Sequence, residues 1–267
     1  MSNLIIADLR AIARGLPEEI GEWPSIPCPT CWRGNLTPDG DTFAREESET
    51  SKRWRSESWD DWEPDWEHGG FHGILRCGKT SCDAVRVVGE MRVVADHDED
   101  GMWDGNSWEV EFNPKFFYPA LPLLQIHQGV PQEVLGRVSA ASAVLWADPS
   151  SAANRLRSAV EALMDDQGIV RKGFGRKGAF DYKLHQRIER LATAKPAYSD
   201  ASKMILAVKW VGNVGSHEDA LKITDILDGV AILDAALTEI YDTSKEDLKK
   251  LAAEITARKG VPISRYN

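Results

Sequence analysis

The chain of 267 residues contains no apolar run near the roughly 20 residues that a membrane-spanning helix requires. Its first residues, MSNLIIADLRAIARGL, lack the basic flank, apolar stretch and small-residue cleavage site of a secretory signal. Both absences lead to the expectation of a soluble, cytoplasmic, globular protein with no membrane partner. Cysteine is scarce, and four residues in such a chain do not make a disulfide framework, so their spacing is read as metal chemistry or packing. Basic residues are scarce in the first part: residues 1–120 hold 12 Lys and Arg against 24 Asp and Glu, whereas 121–267 hold 20 against 18. An acidic first half is a poor general platform for a phosphate backbone, which leaves only a local patch in the second half for nucleic acid. The GxxxxGK[ST] phosphate loop, the serine nucleophile elbow, the HExxH zinc motif and any internal repeat of 20 to 50 residues are also missing.

What is present divides the chain near Pro119. Residues 3–15 place Leu4, Ile5, Leu9 and Ile12 at helical spacing before Gly15, predicting a short amphipathic helix that acts as a lid or brace. Residues 24–38 are rich in Pro, Cys and Gly and predict turns. Residues 39–70 are charged and lack an apolar period, so they read as an acidic, Trp-rich loop or partly disordered insertion. β-Branched and aromatic runs at 71–96 and 107–119 predict strands or a hairpin. Beyond Pro119 nearly every segment has a helix period. Helices are expected at 131–146, 150–166, 181–194, 198–211 and 222–242, with a charged last helix at 244–258 that starts on a capping box of Ser244 and Asp247. The resulting fold class is α+β: a small β module over residues 1–120, then a helical bundle of five or six helices over 121–267.

The cysteines form two close pairs, Cys28-Pro-Thr-Cys31 and Cys77-Gly-Lys-Thr-Ser-Cys82. Each spacer suits a tight turn that aims two thiolates at one ion, and four soft thiolates suit a structural, tetrahedral Zn2+ with no open position. The 45 residues between the pairs are long for a zinc finger, and the acidic insertion accounts for the length. Four ordinary buried cysteines are the alternative, and His68 or His72 would enter the sphere if Cys82 did not. A module this small is expected to need the metal in order to fold.

Taken in order, the CPxC knuckle, the second cysteine pair, the strands, FFYPALP, RLRSAVEALMDDQGI, RIERLA and WVGNVGSHED followed by a long helix ending in IYD resemble the bacterial and phage proteins of the domain of unknown function 4145 family. The resemblance runs from about Cys28 to Tyr241. It implies a zinc-ribbon N-terminus, a helical part similar to the HEPN superfamily, a homodimer, and a setting in anti-phage defence or counter-defence. Active HEPN members are metal-independent ribonucleases carrying an Arg, a polar residue that is often Asn, three further residues and a His. The matching stretch here runs from Gly212 through Asn213 to His217, so glycine stands where the family pattern has arginine. A rearranged site would take its cation from Lys209 or Arg157. The structural reading makes Gly212 and Gly215 helix terminators, lets Asn213 satisfy an end carbonyl or adopt a left-handed turn, pairs Arg157 with Glu161, and leaves His217 to cap or to pair with Glu161.

Two further segments carry binding chemistry. Residues 170–187 hold six Lys or Arg, including Arg171, Lys172, Arg176 and Lys177, with three Gly and two Phe; such a flexible basic loop can track phosphates and stack bases, or be merely solvated. Trp59, Trp62 and Trp66 stand among carboxylates, suiting either a docking segment for a basic, hydrophobic partner or a set of rings folded back as the core of the metal module. The leading expectation is a non-enzymatic zinc-containing binding module for a protein or nucleic-acid partner, with the length of the apolar 222–242 helix adding to the case for a dimer. A ribonuclease using His217 and Asn213, and an inhibitor docking through the Trp-rich segment, are its rivals.

Overall fold

The computed structural model describes the chain apart from residues 1, 33, 80, 98–101, 125–128, 177, 215–220 and 261–267. It is an α+β structure: an antiparallel sheet bearing the cysteines, followed by a helical region. The first part holds α1 (Ser2–Ile12), β1 (Leu16–Pro17), β2 (Ile26–Pro27), β3 (Asn35–Pro38), β4 (Ala44–Glu47), α2 (Glu49–Glu57), β5 (His68–Cys77), β6 (Val85–His97) and β7 (Trp103–Tyr118). The second holds α3 (Gln132–Ser142), α4 (Pro149–Asp166), β8 (Lys172–Gly175), β9 (Gly178–Asp181), α5 (Leu184–Ala194), α6 (Ser199–Val214), α7 (Ile223–Tyr241) and α8 (Ser244–Arg258). Among the described residues no helix is long and apolar enough to cross a membrane.

The sheet runs β1-β7-β6-β5-β3-β2, with β4 beside β3 on the same edge of β5. Period-two alternation sets its faces: Phe71, Leu75, Val85, Val87 and Met91 are buried, while His72, Arg86, Val88 and Glu90 between them are exposed. The register of β6 against β7 shifts between Val88 and Gly89, where a Cβ on Gly89 would lie 2.3 Å from the Asn113 carbonyl oxygen. Four aromatic rings fill the inner face. Phe71 and Phe112 lie 4.9 Å apart, Phe43 lies 5.2 Å from Phe112, and Trp23 meets Phe43 edge-on at 5.7 Å while its Nε1 donates to the Pro17 carbonyl. This is a larger module, with a fuller core, than the small ribbon that the sequence led us to expect.

The acidic segment is not a featureless loop, contrary to expectation. Residues 44–47 pair with β5, and α2 follows at once, capped by the Ser48 hydroxyl, which accepts from the Ser51 backbone N–H at 3.1 Å. Arg55 holds Glu47 at 2.9 Å and also Glu67, and its guanidinium lies 4.6 Å over the Trp62 ring. Charge pairing here replaces the apolar stripe that normally betrays a helix, which is why hydrophobic period missed it.

The helical region follows its sequence pattern closely. Leu156, Val160, Leu163 and Met164 of α4 are buried, as are Ile226, Leu227, Val230, Leu233 and Leu237 of α7. α6 packs against α4, α5 and α7, and α1 of the first part lies against α7 and β2. The apolar stripe of α7 is therefore covered within the chain and supplies no argument for a dimer. Helix α8 is largely exposed; its N-cap is Thr243, whose hydroxyl donates to Asp247 at 2.9 Å, so Ser244 is the first helical residue and not the cap. Residues 172–181, expected as a flexible loop, form the β8–β9 hairpin in register Lys172 to Asp181. A Cβ on Gly173 would meet the Phe180 ring and the Tyr182 hydroxyl at 2.6 Å, so only glycine lets those rings fold over the strand.

Candidate metal centre and the helical-domain site

Strand pairing assembles the cysteines. The turn holding Cys28 and Cys31 leads into β3, and β3 pairs with the end of β5 so that Leu36 sits opposite Cys77; Cys82 lies in the short link to β6. The four Sγ atoms all lie within 4.8 Å of one another, and Cys31 Sγ is 3.8 Å from Cys77 Sγ. A tetrahedral ion with metal–sulfur bonds of about 2.3 Å places its sulfurs about 3.8 Å apart, so the donor set fits one such ion. Backbone amides support the sulfurs: Gly34 N–H donates to Cys31 Sγ at 3.2 Å and Lys79 N–H to Cys77 Sγ at 3.5 Å. The turn closes with Trp32 N–H on the Cys28 carbonyl at 3.0 Å and Cys28 N–H on the Gly34 carbonyl at 3.1 Å, which puts Trp32 in the left-handed region at φ 58°. Gly34 has no room for a side chain, since a Cβ there would lie 2.3 Å from Cys77 Sγ.

Cys28 is buried and the other three cysteines are half-buried. Burial pushes the Cys28 thiol up, and burial first, then the neighbouring cysteines, push the Cys82 thiol up to about 12. Neutral thiols are the resting state of such a cluster, and a bound dication is what converts them to thiolates. The two histidines considered as substitutes stand apart. His68 Nδ1 contacts the Trp66 carbonyl at 2.9 Å and its ring lies 5.5 Å from that of Trp54, at the end of β5 opposite Cys77; nine residues at 3.3 Å each separate those ends by about 30 Å. His72 is exposed in mid-strand. Cys82 completes the set without either.

On the helical side, the structure brings Arg157 and Asn213 together: the Arg157 guanidinium donates to Asn213 Oδ1 at 2.7 Å. Arg157 Nε also lies 3.7 Å from Glu161, as helical spacing predicted. Asn213 thus takes a side chain of α4, not the end carbonyl suggested by sequence. Gly212 explains its own presence, because a Cβ there would lie 2.8 Å from Arg157 Cβ and 3.1 Å from the Ala153 carbonyl oxygen. The arginine of the family pattern would force α4 and α6 apart. Lys209 is 8% exposed, lies 3.2 Å from the centre of the Trp210 ring, and is pushed below its ordinary value first by burial and then by Arg157. His217, Gly215 and Ser216 fall outside the described residues. Sequence reasoning missed His185, whose ring lies 6.3 Å from Trp210 and whose Nε2 lies 3.2 Å from Glu189; only the i,i+4 spacing of His185 and Glu189 offered a signal.

The basic and Trp-rich segments lie elsewhere. Arg171 is bound to Asp165 through two nitrogens, whereas Lys172 and Arg176 are exposed without an ion pair among the described residues; Lys177 lies outside them. Trp59 is 78% exposed and Trp66 is exposed at one edge of a groove, while Trp62 is half-buried beside Arg55. None of the three belongs to the sheet's aromatic core, which Trp23 and three phenylalanines provide.

Residues 139–258 match the family model described as a domain of unknown function, DUF4145, and residues 18–117 match a second, DUF8608, also described as a domain of unknown function. No curated protein and no solved structure matches the chain. The first match supports the family resemblance for the helical region; the cysteine-bearing sheet, which the resemblance had included, matches a separate family.

Proposed function

We propose that the chain, which joins a DUF8608-like sheet to a DUF4145-like helical region, is a zinc-stapled, non-enzymatic binding module. The observation that carries this reading is the convergence of four Sγ atoms within 4.8 Å, a complete soft-donor set that leaves no position for water or substrate. Zinc would tie the Cys28–Cys31 turn, the end of β5 and the β5–β6 link into one rigid corner, and the module would present its exposed surfaces to a partner. The reading extends to a setting in anti-phage defence or counter-defence, which the sequence resemblance alone implies. Metal analysis of purified protein tests the proposal: one zinc per chain, lost in Cys28→Ser/Cys77→Ser, is expected, and iron or no metal would overturn it.

A second reading is favoured by one observation. Arg157 places a guanidinium on Asn213, supplying from α4 the cation that Gly212 does not supply from α6. With His217 as proton donor or acceptor this would make a rearranged metal-independent ribonuclease. Degradation of RNA by the wild type, abolished in His217→Ala and Arg157→Ala with helicity retained, is the outcome that would replace the first reading with this one.

A further inference from the structure

Two surfaces of opposite character stand unexplained. The first is the β8–β9 hairpin, where Phe174 is 87% exposed, shares a strand face with Lys172 and is followed by Arg176 at the turn. A phenylalanine held this far into solvent between cations is a residue set for an aromatic, anionic surface. The second lies on the sheet, where Trp66, Trp108, Val93 and Val94 line a groove of about 570 Å³ whose rim carries Glu63 and Asp65. Trp59, Asp60 and Asp61 lie just before this rim in the chain, and the carboxylates at 60, 61, 63 and 65 have no ion pair among the described residues.

The two surfaces complement each other in charge and in ring chemistry. Within one chain they do not meet, since no hairpin residue lines the groove and no groove residue lines the cleft beside the hairpin. The wider charge distribution runs the same way, with the deficit of basic residues confined to residues 1–120. Nucleic acid is the other anionic occupant that the basic hairpin could take, and the test below separates the two.

We propose that the hairpin of one copy docks in the acidic tryptophan groove of a second copy, Phe174 entering between the indole rings while Lys172 and Arg176 meet the carboxylates at the rim. This names a partner for the binding module proposed above and is independent of its metal: zinc content reports on that reading, molecular mass on this one.

The test is sedimentation of the full chain with two charge-reversed variants, Glu63→Lys/Asp65→Lys in the groove and Lys172→Glu/Arg176→Glu in the hairpin. The wild type is expected to self-associate at concentrations up to about 100 μM, the weak end of specific contacts, and less so in high salt. Each variant alone should associate at least about tenfold more weakly, and mixing the two should restore association because each altered surface then meets its complement. Phe174→Ser, which leaves every charge in place, should weaken association as well. A monomeric wild type, variants that associate like the wild type, or a mixture that does not recover would each overturn the proposal. So would single-stranded RNA or DNA binding that is lost in the hairpin variant while self-association persists.

Discussion

Two glycines fix the geometry of the sites through what they leave out. Gly34 leaves its Cβ space to Cys77 Sγ at 2.3 Å and Cys31 Sγ at 3.1 Å, so Gly34→Ala is expected to lower the metal content of purified protein well below one equivalent without removing any ligand. Elemental analysis checks this. Gly212 lets α6 approach α4 at Ala153 and Arg157, where the obstacles include a backbone oxygen that cannot swing aside. Gly212→Ala should cost about 1–3 kcal/mol, the usual size of an overpacking penalty, and lower the melting temperature by several degrees. Restoring the family arginine as Gly212→Arg should be worse still, and a variant as stable as the wild type would mean that the two helices are not packed as described.

At the scale of elements, α4 connects most of the helical region, touching α3, α5, α6 and α7. Its start is held by Asp148, whose carboxylate accepts from the Ser151 N–H at 2.8 Å and the Ser151 hydroxyl at 2.5 Å. The hydroxyl bond first, and the backbone bonds after it, hold the carboxyl below its ordinary value. A depressed native pKa means that the cap stabilises fully above the unfolded value near 3.9 and is lost as pH falls through the native one. Asp148→Ala should therefore cost about 1 kcal/mol at pH 7 in urea unfolding, with the difference from wild type shrinking as the pH falls below the ordinary carboxylate range. The same scale shows what was legible in advance. Leu156, Val160 and Leu163 announced α4, and the β-branched run at 85–88 announced β6, because each buries one face against a neighbour. Helix α2 hid because Arg55, Glu47 and Glu67 hold it by charge, and the β8–β9 hairpin hid because nearly all of its residues are exposed and show no alternation. The cysteine cluster was legible from two short spacers. The Arg157–Asn213 contact joins residues 56 positions apart and awaited the packing of α4 on α6.

For the whole molecule, one continuous apolar core runs from α1 through the sheet to α7, and the sheet's four-ring cluster lies on it. A metal held by the four cysteines would therefore staple a corner of a module that already has a core, in contrast to a small finger that is unfolded without its ion. Chelation is expected to lower the melting temperature and expose the thiols to alkylation while leaving the far-ultraviolet circular dichroism largely unchanged; complete unfolding would show that the core alone is insufficient. A cysteine thiol is mostly protonated at pH 7, and those of Cys28 and Cys82 are pushed higher still, so zinc uptake by four thiols should release close to four protons per ion, measurable from the buffer dependence of the binding heat. The seat of α1 carries a consequence in time. Arg10 reaches Asp228, a partner 218 residues later in the chain, on the helix against which α1 packs. During synthesis at roughly 5–20 residues per second, α1 leaves the ribosome about ten to forty seconds before α7 exists to receive it. Helix α1 is thus made long before it can be fully seated, and a nascent chain halted before Ile223 should present α1 to protease or chaperone with one wall of its seat still unbuilt.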